Sequence, residues 1–145
     1  MTIVYIDGVF DLFHRGHLEA IRKAKKIRPD VHLIVGLCCD ADVVDYKRRP
    51  FMSEDDRYQI LLSIKEIDQV VFPGPLVLTP AFVERYKIDL VVHGFAHHAD
   101  AARQASFFEH IQDKFEMLPY YAPVSTSKLV GDIRARDLLL DGQCK

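Results

Sequence analysis

Apolar residues along this chain follow two alternating rhythms: short continuous runs, and longer stretches spaced three and four apart. Ile3 to Ile6 is β-branched and aromatic, as a buried strand is. Leu18, Ile21, Ala24 and Ile27 recur at helical spacing, so a helix starts near His17 and ends at Arg28-Pro29-Asp30. Val31 to Cys39 is nearly all apolar, the pattern of a parallel strand covered on both faces. Asp40 is expected to cap a short helix, and Tyr46-Lys47-Arg48-Arg49-Pro50 follows as a basic loop without an apolar period. Ser53-Glu54-Asp55-Asp56 resembles a capping box, leading into a helix over Arg57–Ile67 with Ile60, Leu61, Ile64 and Ile67 on its inner side.

Gln69–Phe72 reads as a third strand, broken by Pro73-Gly74-Pro75. Thr79-Pro80 opens another helix with a cap and a first-turn proline. Ile88–His93 is a fourth strand, Ala101–Phe115 a helix, and Glu116–Tyr121 a fifth strand. Ser125-Thr126-Ser127 caps a last helix over Lys128–Leu140. Strands alternate with helices throughout. The expected fold is therefore α/β, a Rossmann-like doubly wound parallel sheet of five strands in a single domain spanning residues 1–145. In such a sheet the ligand lies beyond the carboxyl ends of the strands, at a switch point. The loops starting at Gly8, Asp40, Pro73, His93 and Ala122 should share that rim.

Composition narrows the partners rather than the fold. The formal charge of −2 gives no electrostatic case for nucleic acid. No apolar run reaches membrane-span length, and no leader pattern opens the chain. Cys38, Cys39 and Cys144 form no CxxC, so neither a disulfide framework nor a zinc site is expected, and a cytoplasmic setting is.

The chemistry gathers between the first strand and first helix, in Asp7-Gly8-Val9-Phe10-Asp11-Leu12-Phe13-His14-Arg15-Gly16-His17. A strand, a glycine-bearing turn and a helix N-terminus present free N–H groups and a positive dipole to an anion. Gly8 and Gly16 permit sharp turning and close ligand approach. His14 and His17, three apart, would project from one side of the first turn and donate to a phosphoryl group. The same stretch also fits plain β-turn-α punctuation, or a metal held by the histidines with Asp11. No companion ligand cluster occurs elsewhere, so no protein-held metal is expected.

Gly8-x-Phe10-Asp11-x-x-His14-x-Gly16-His17 resembles the HxGH signature of the nucleotidylyltransferase superfamily and, within it, the cytidylyltransferases that make CDP-choline, CDP-ethanolamine and CDP-glycerol. The resemblance runs through Lys47, Met52 to Tyr58, Leu78-Thr79-Pro80, Ile88 to His93 and Ser125-Thr126-Ser127. It implies attack of a substrate phosphate on the α-phosphorus of CTP, with pyrophosphate leaving and no covalent enzyme intermediate. By the same resemblance His14, His17 and Lys47 are catalytic. Gly8, Val9, Phe10, Asp11, Gly16, His93, Gly94, Ser125 and Thr126 bind the nucleotide, with Asp11 holding the loop. Asp7, Lys47, Leu76 and Tyr120 face the acceptor. Mg²⁺ would enter on the CTP phosphates, and a homodimer is implied. For Arg57 the resemblance leaves a functional role open beside the plainer reading of a structural or dimer-contact arginine.

Three positions depart from the family pattern. Tyr120-Tyr121-Ala122-Pro123-Val124 stands where an arginine-threonine-glutamate-glycine-isoleucine segment is usual, which removes a phosphate-gripping arginine. Arg48, Arg49 and Lys128 are the candidate replacements. Phe95-Ala96 follows Gly94 where acidic residues are common, and Leu76 replaces an aromatic residue of the choline-handling enzymes. The reading is therefore a cytidylyltransferase acting on a small phosphorylated alcohol or amino alcohol. Adenylyl transfer and a nucleotide-binding module without turnover are the alternatives.

Overall fold

The first strand, β1 (Thr2–Gly8), lies at the centre of a five-stranded sheet in this computed structural model, which describes residues 1–95, 98–119 and 123–140. Helix α1 (Arg15–Lys26) returns the chain to β2 (Val31–Leu37), which pairs parallel to β1 from Thr2↔Val31 to Gly8↔Leu37. Two short helices, α2 (Asp40–Val43) and α3 (Glu54–Leu62), lead to β3 (Gln69–Val71) at one edge. Helix α4 (Pro80–Arg85) then carries the chain back across to β4 (Leu90–His93), on the other side of β1. Helix α5 (His98–Gln104) and β5 (Phe115–Met117) complete the sheet, and α6 (Thr126–Leu140) follows it.

The strand order is β3-β2-β1-β4-β5, with every pairing parallel. Successive crossovers leave β1 in opposite directions, so the switch point falls between β1 and β4. Both faces of the sheet are covered. Val4, Ile6, Leu33, Val35 and Val92 pack with Ile21 and Ala24 of α1 and Leu61 of α3. Tyr5, Ile34 and Val91 pack on the opposite face with Val83 of α4, Phe108 and Ile111. Alternate residues of β1 and β2 thus enter different cores, which is why these strands are apolar without interruption.

Local expectations fail where tertiary contacts compete. Asp40 does not cap α2; Cys39 holds the N-cap position without a side-chain bond, and Asp40 pairs instead with Arg57. Ser53 caps α3 by accepting from the Asp56 N–H at 3.1 Å, but the helix stops at Leu62. Ser63 turns its hydroxyl onto the Ile60 carbonyl oxygen, and Ile64 and Ile67 reach the core from the turn that follows. Thr79 and Pro80 open α4 as the sequence suggests. The expected helix over Ala101–Phe115 is broken into α5 and two 3₁₀ segments, Ala105–Phe107 and Glu109–Lys114. Phe108 and Ile111 are there buried against the sheet, and the Phe108 and Phe115 rings lie 4.7 Å apart. Burying these residues outweighs one continuous helix. The fifth strand is correspondingly short, and the Tyr120-Tyr121 end of the expected strand lies outside the described residues.

Candidate active site

A cleft of about 450 Å³ opens at the carboxyl ends of the strands, over the β1–β4 switch point. The β1–α1 loop supplies its floor. Phe10 and Leu12 sit in the left-handed region, at φ 55° and 47°. Neither is glycine, so backbone strain is concentrated in this loop. No glycine in the chain's described residues has positive φ, so the turn does not depend on Gly8 or Gly16 in that way. They serve close approach instead. A Cβ on Gly8 would meet the Phe10 ring at 3.1 Å, and one on Gly16 would meet the His14 ring at 2.8 Å.

His14 is the N-cap of α1. Its Nδ1 accepts from the Gly16 N–H at 3.0 Å, and the Nδ1 of His17 accepts from the His14 N–H at 3.2 Å. This reciprocal capping box, built from two imidazoles, fixes both tautomers: each Nδ1 carries a lone pair, so each neutral ring carries its proton on Nε2. A second chain of bonds agrees. Thr126 Oγ1 donates to the Asp11 carbonyl oxygen at 3.2 Å and so can accept from His14 Nε2–H at 3.3 Å. The two rings stack with centroids 3.9 Å apart. Burial lowers the pKa of His14. Burial, with His14 and Lys47 nearby, brings that of His17 down to about 3. Both histidines are therefore neutral donors, not cations, at physiological pH.

Asp11 is held away from solvent by three backbone N–H groups. Leu12 and Met52 donate to Oδ1 at 3.1 and 3.0 Å, and Phe51 to Oδ2 at 2.9 Å. The carboxylate ties the 51–52 segment to the first loop. Arg57 extends this anchoring from below. It is fully buried, and its guanidinium donates to the carbonyl oxygens of Val9 at 2.8 Å, Cys38 at 3.0 Å and Met52 at 3.3 Å, besides pairing with Asp40. The loop carrying Lys47 is thus fixed at both ends, while Lys47 itself is exposed on the cleft wall.

Across the switch point His93 Nδ1 lies 2.7 Å from Asp7 Oδ1, both side chains nearly buried. An Nδ1–H donating to the carboxylate leaves His93 Nε2 as the ring's other polar atom. Gly94, Leu76, Ser125 and Thr126 also line the cleft. Ser125 Oγ accepts from the Lys128 N–H at 3.1 Å and so caps α6. Every site residue expected from the sequence is in this cleft except Tyr120, which lies outside the described residues together with Tyr121 and Ala122. Of the replacement cations, Arg48 lines the cleft; Arg49 does not, and Lys128 pairs with Asp132 at 3.3 Å on the surface.

Comparison with known proteins places the chain in a family. Residues 5–131 match the cytidylyltransferase-like family. The chain belongs to it. Among its relatives, choline-phosphate cytidylyltransferase 2 of Arabidopsis thaliana is 38% identical over 130 residues, covering 88% of this chain and 43% of the relative. The human choline-phosphate cytidylyltransferase A is 35% identical over 129 residues, covering 88% of this chain and 35% of the relative. The ethanolamine-phosphate enzyme of Dictyostelium discoideum is 35% identical over 130 residues, with the same two coverages. The chain therefore spans less than half the length of these relatives. A lipopolysaccharide core biosynthesis protein of Thermoplasma volcanium superposes with a TM-score of 0.63 at 22% identity, over 83% of this chain and 97% of that one, which shows the shared fold.

Within this cytidylyltransferase-like site, several lining residues carried no signal in the sequence. Asp100, Arg103, Gln104 and Phe107 reach the cleft because α5 and the 3₁₀ segment after it fold back against the Lys47 loop. The Tyr46 and Phe107 rings meet edge-on at 5.2 Å. The contact joins residues far apart in sequence, beyond the reach of any local pattern.

Proposed function

We propose that this domain transfers CMP from CTP to a small phosphorylated alcohol or amino alcohol, releasing pyrophosphate. The observation that carries the reading is the pair of Nε2–H donors fixed at a helix N-terminus by their own capping bonds. Neutral, preorganised donors suit charge that builds on phosphoryl oxygens during transfer. The acceptor phosphate attacks the α-phosphorus in line, and the bond to the pyrophosphate oxygen breaks with its electron pair leaving on that oxygen. No side chain needs to act as a nucleophile. His14 and His17 donate to the reacting and leaving oxygens, Lys47 neutralises phosphate charge, and the N-termini of α1 and α6 receive the triphosphate.

The cleft carboxylates fit a cation carried by the nucleotide rather than one held by the protein: Asp7 is engaged by His93, Asp11 by three N–H groups, and Asp100 by Gln104 and Arg103. Mg²⁺ bound to CTP would supply charge neutralisation and keep much of its water. A homodimer is the assembly the family resemblance suggests.

Leu76 at the cleft provides no aromatic wall for a quaternary ammonium, whereas Asp7, through the Oδ2 that His93 does not engage, can accept from a primary one. Phosphoethanolamine is therefore expected to exceed phosphocholine as acceptor. The test is pyrophosphate release from each of the four nucleoside triphosphates with a panel of phosphorylated head groups. Turnover with CTP and a phospho-amino-alcohol supports the reading; release only with ATP, or none at all, overturns it. A tenfold preference for phosphocholine would assign its ammonium to aromatic side chains among Phe10, Tyr46, Phe95 and Phe107, which line the cleft.

A further inference from the structure

The transfer reaction proposed above brings two strongly anionic phosphates together in one cleft. His14 and His17 are neutral and relieve that repulsion only as hydrogen-bond donors. Beyond the cation carried by the nucleotide, fixed positive charge from the protein comes from lysine or arginine. Among the described residues Lys47, Arg48 and Arg103 supply it along the lining.

Their positions differ. Helix α1 packs on the sheet face that buries Ile21 and Ala24, and its N-terminus meets α6, where Thr126 reaches His14. Arg103 comes from the other side. Its helix runs into the 3₁₀ segment whose Phe107 packs on the opposite face and whose carbonyl oxygen accepts from the Leu78 N–H at 2.9 Å. The Tyr46–Phe107 contact brings this segment against the loop bearing Lys47. Lys47 and Arg103 therefore flank the cleft where those two walls meet.

Among the described residues Arg103 is held at one end only. Its Nη2 donates to Asp100 Oδ1 at a long 3.4 Å, and the Arg103 side chain is 56% exposed. Asp100 itself is buried, and its Oδ1 also accepts from Gln104 Nε2 at 2.6 Å. A carboxylate anchored in this way orients a guanidinium while leaving most of its N–H groups for a planar, bidentate partner such as phosphate. Arg57 shows the contrasting case: it is buried and its donors are taken up by four acceptors.

In-line displacement puts the attacking phosphate opposite the leaving pyrophosphate. The N-termini of α1 and α6, with His14 and His17, form the wall suited to the triphosphate. The attacking group must then enter from the α5 side. We propose that Arg103 binds the phosphate of the acceptor, together with Lys47, and orients it for attack.

This inference rests on the transfer reading, and the experiment separates the two. Arg103→Ala, Arg103→Lys and Lys47→Ala are compared with the wild-type chain, using CTP, Mg²⁺ and whichever of phosphoethanolamine and phosphocholine the wild type turns over. Arg103→Ala should raise the KM for the acceptor by about tenfold or more, the effect of losing a charge-assisted hydrogen bond. The KM for CTP and calorimetric CTP affinity should stay within about twofold, and Arg103→Lys should recover part of the loss. Lys47→Ala should raise the acceptor KM as well. Arg103 is exposed, so the thermal unfolding midpoint should not move. A wild type active with an unchanged acceptor KM in Arg103→Ala overturns the role of Arg103 alone, as does a defect confined to CTP. A wild type that turns over no acceptor removes the transfer reading and this inference with it.

Discussion

A Cβ on Gly16 would lie 2.8 Å from Cε1 of His14 and 3.1 Å from the Val124 carbonyl oxygen. Gly16 is therefore where the first histidine, the helix N-terminus and the approach to α6 meet. The ring cannot simply swing aside, because its Nδ1 holds the Gly16 N–H. Gly16→Ala should destabilise the fold by about 1–3 kcal/mol through overpacking, despite the better helix propensity of alanine. Turnover should fall further than stability, because His14 is displaced. Thermal unfolding and kcat on the same preparation check this; normal values of both would show that the ring relocates without consequence.

The histidines have two jobs that substitution can separate. His14→Ala removes the cap and the Nε2–H donor together, whereas His14→Asn retains a good N-cap and removes only the donor. Both variants should lose turnover by about a hundredfold or more, with CTP affinity falling much less. Only His14→Ala should also lose about 1 kcal/mol of stability. His17→Ala should match it in turnover. Near-normal kcat in His14→Asn would reduce His14 to a helix cap.

Arg57 is expected to act on the site from outside it. Arg57→Met leaves the Val9, Cys38 and Met52 carbonyl oxygens without their donor. A cost of about 3–5 kcal/mol is expected. Arg57→Lys supplies one donor position in place of a planar fork and should recover only part of it. Denaturant unfolding gives the number. In the most stable surviving variant, the KM for CTP should rise because the Val9 and Met52 segments lose their common anchor.

Acid sensitivity follows from His17. Its pKa falls from 6.5 when unfolded to about 3 when folded. The unfolded chain therefore binds the proton first as pH drops. The stability that neutral His17 contributes is present above pH 6.5 and is lost as pH falls from there toward 3. By pH 5 the loss attributable to this residue reaches about 2 kcal/mol. Denaturant midpoints at pH 7 and pH 5, for the wild type and His17→Asn, test it. The asparagine variant should lose less stability over that interval; equal losses would remove His17 as a source of acid sensitivity.

The sequence alone determined the layered α/β architecture, because alternation of apolar runs and helical spacing is a local property that burial enforces. It also located the cleft. The Gly8–His17 motif, His93 and Ser125-Thr126 lie at strand ends and helix starts, Lys47 lies in the loop between α2 and α3, and in a parallel sheet such ends and loops converge on one rim. Tertiary structure decided what local patterns do not contain. Asp40 gave up its expected cap for Arg57, and the expected helix over Ala101–Phe115 broke so that Phe108 and Ile111 could be buried. That break placed Arg103 in the cleft, through a contact between Tyr46 and Phe107 that spans sixty-one positions of sequence. The histidine tautomers were likewise set by three-dimensional geometry, since spacing puts two rings on one side but only the capping bonds say which nitrogen holds the proton.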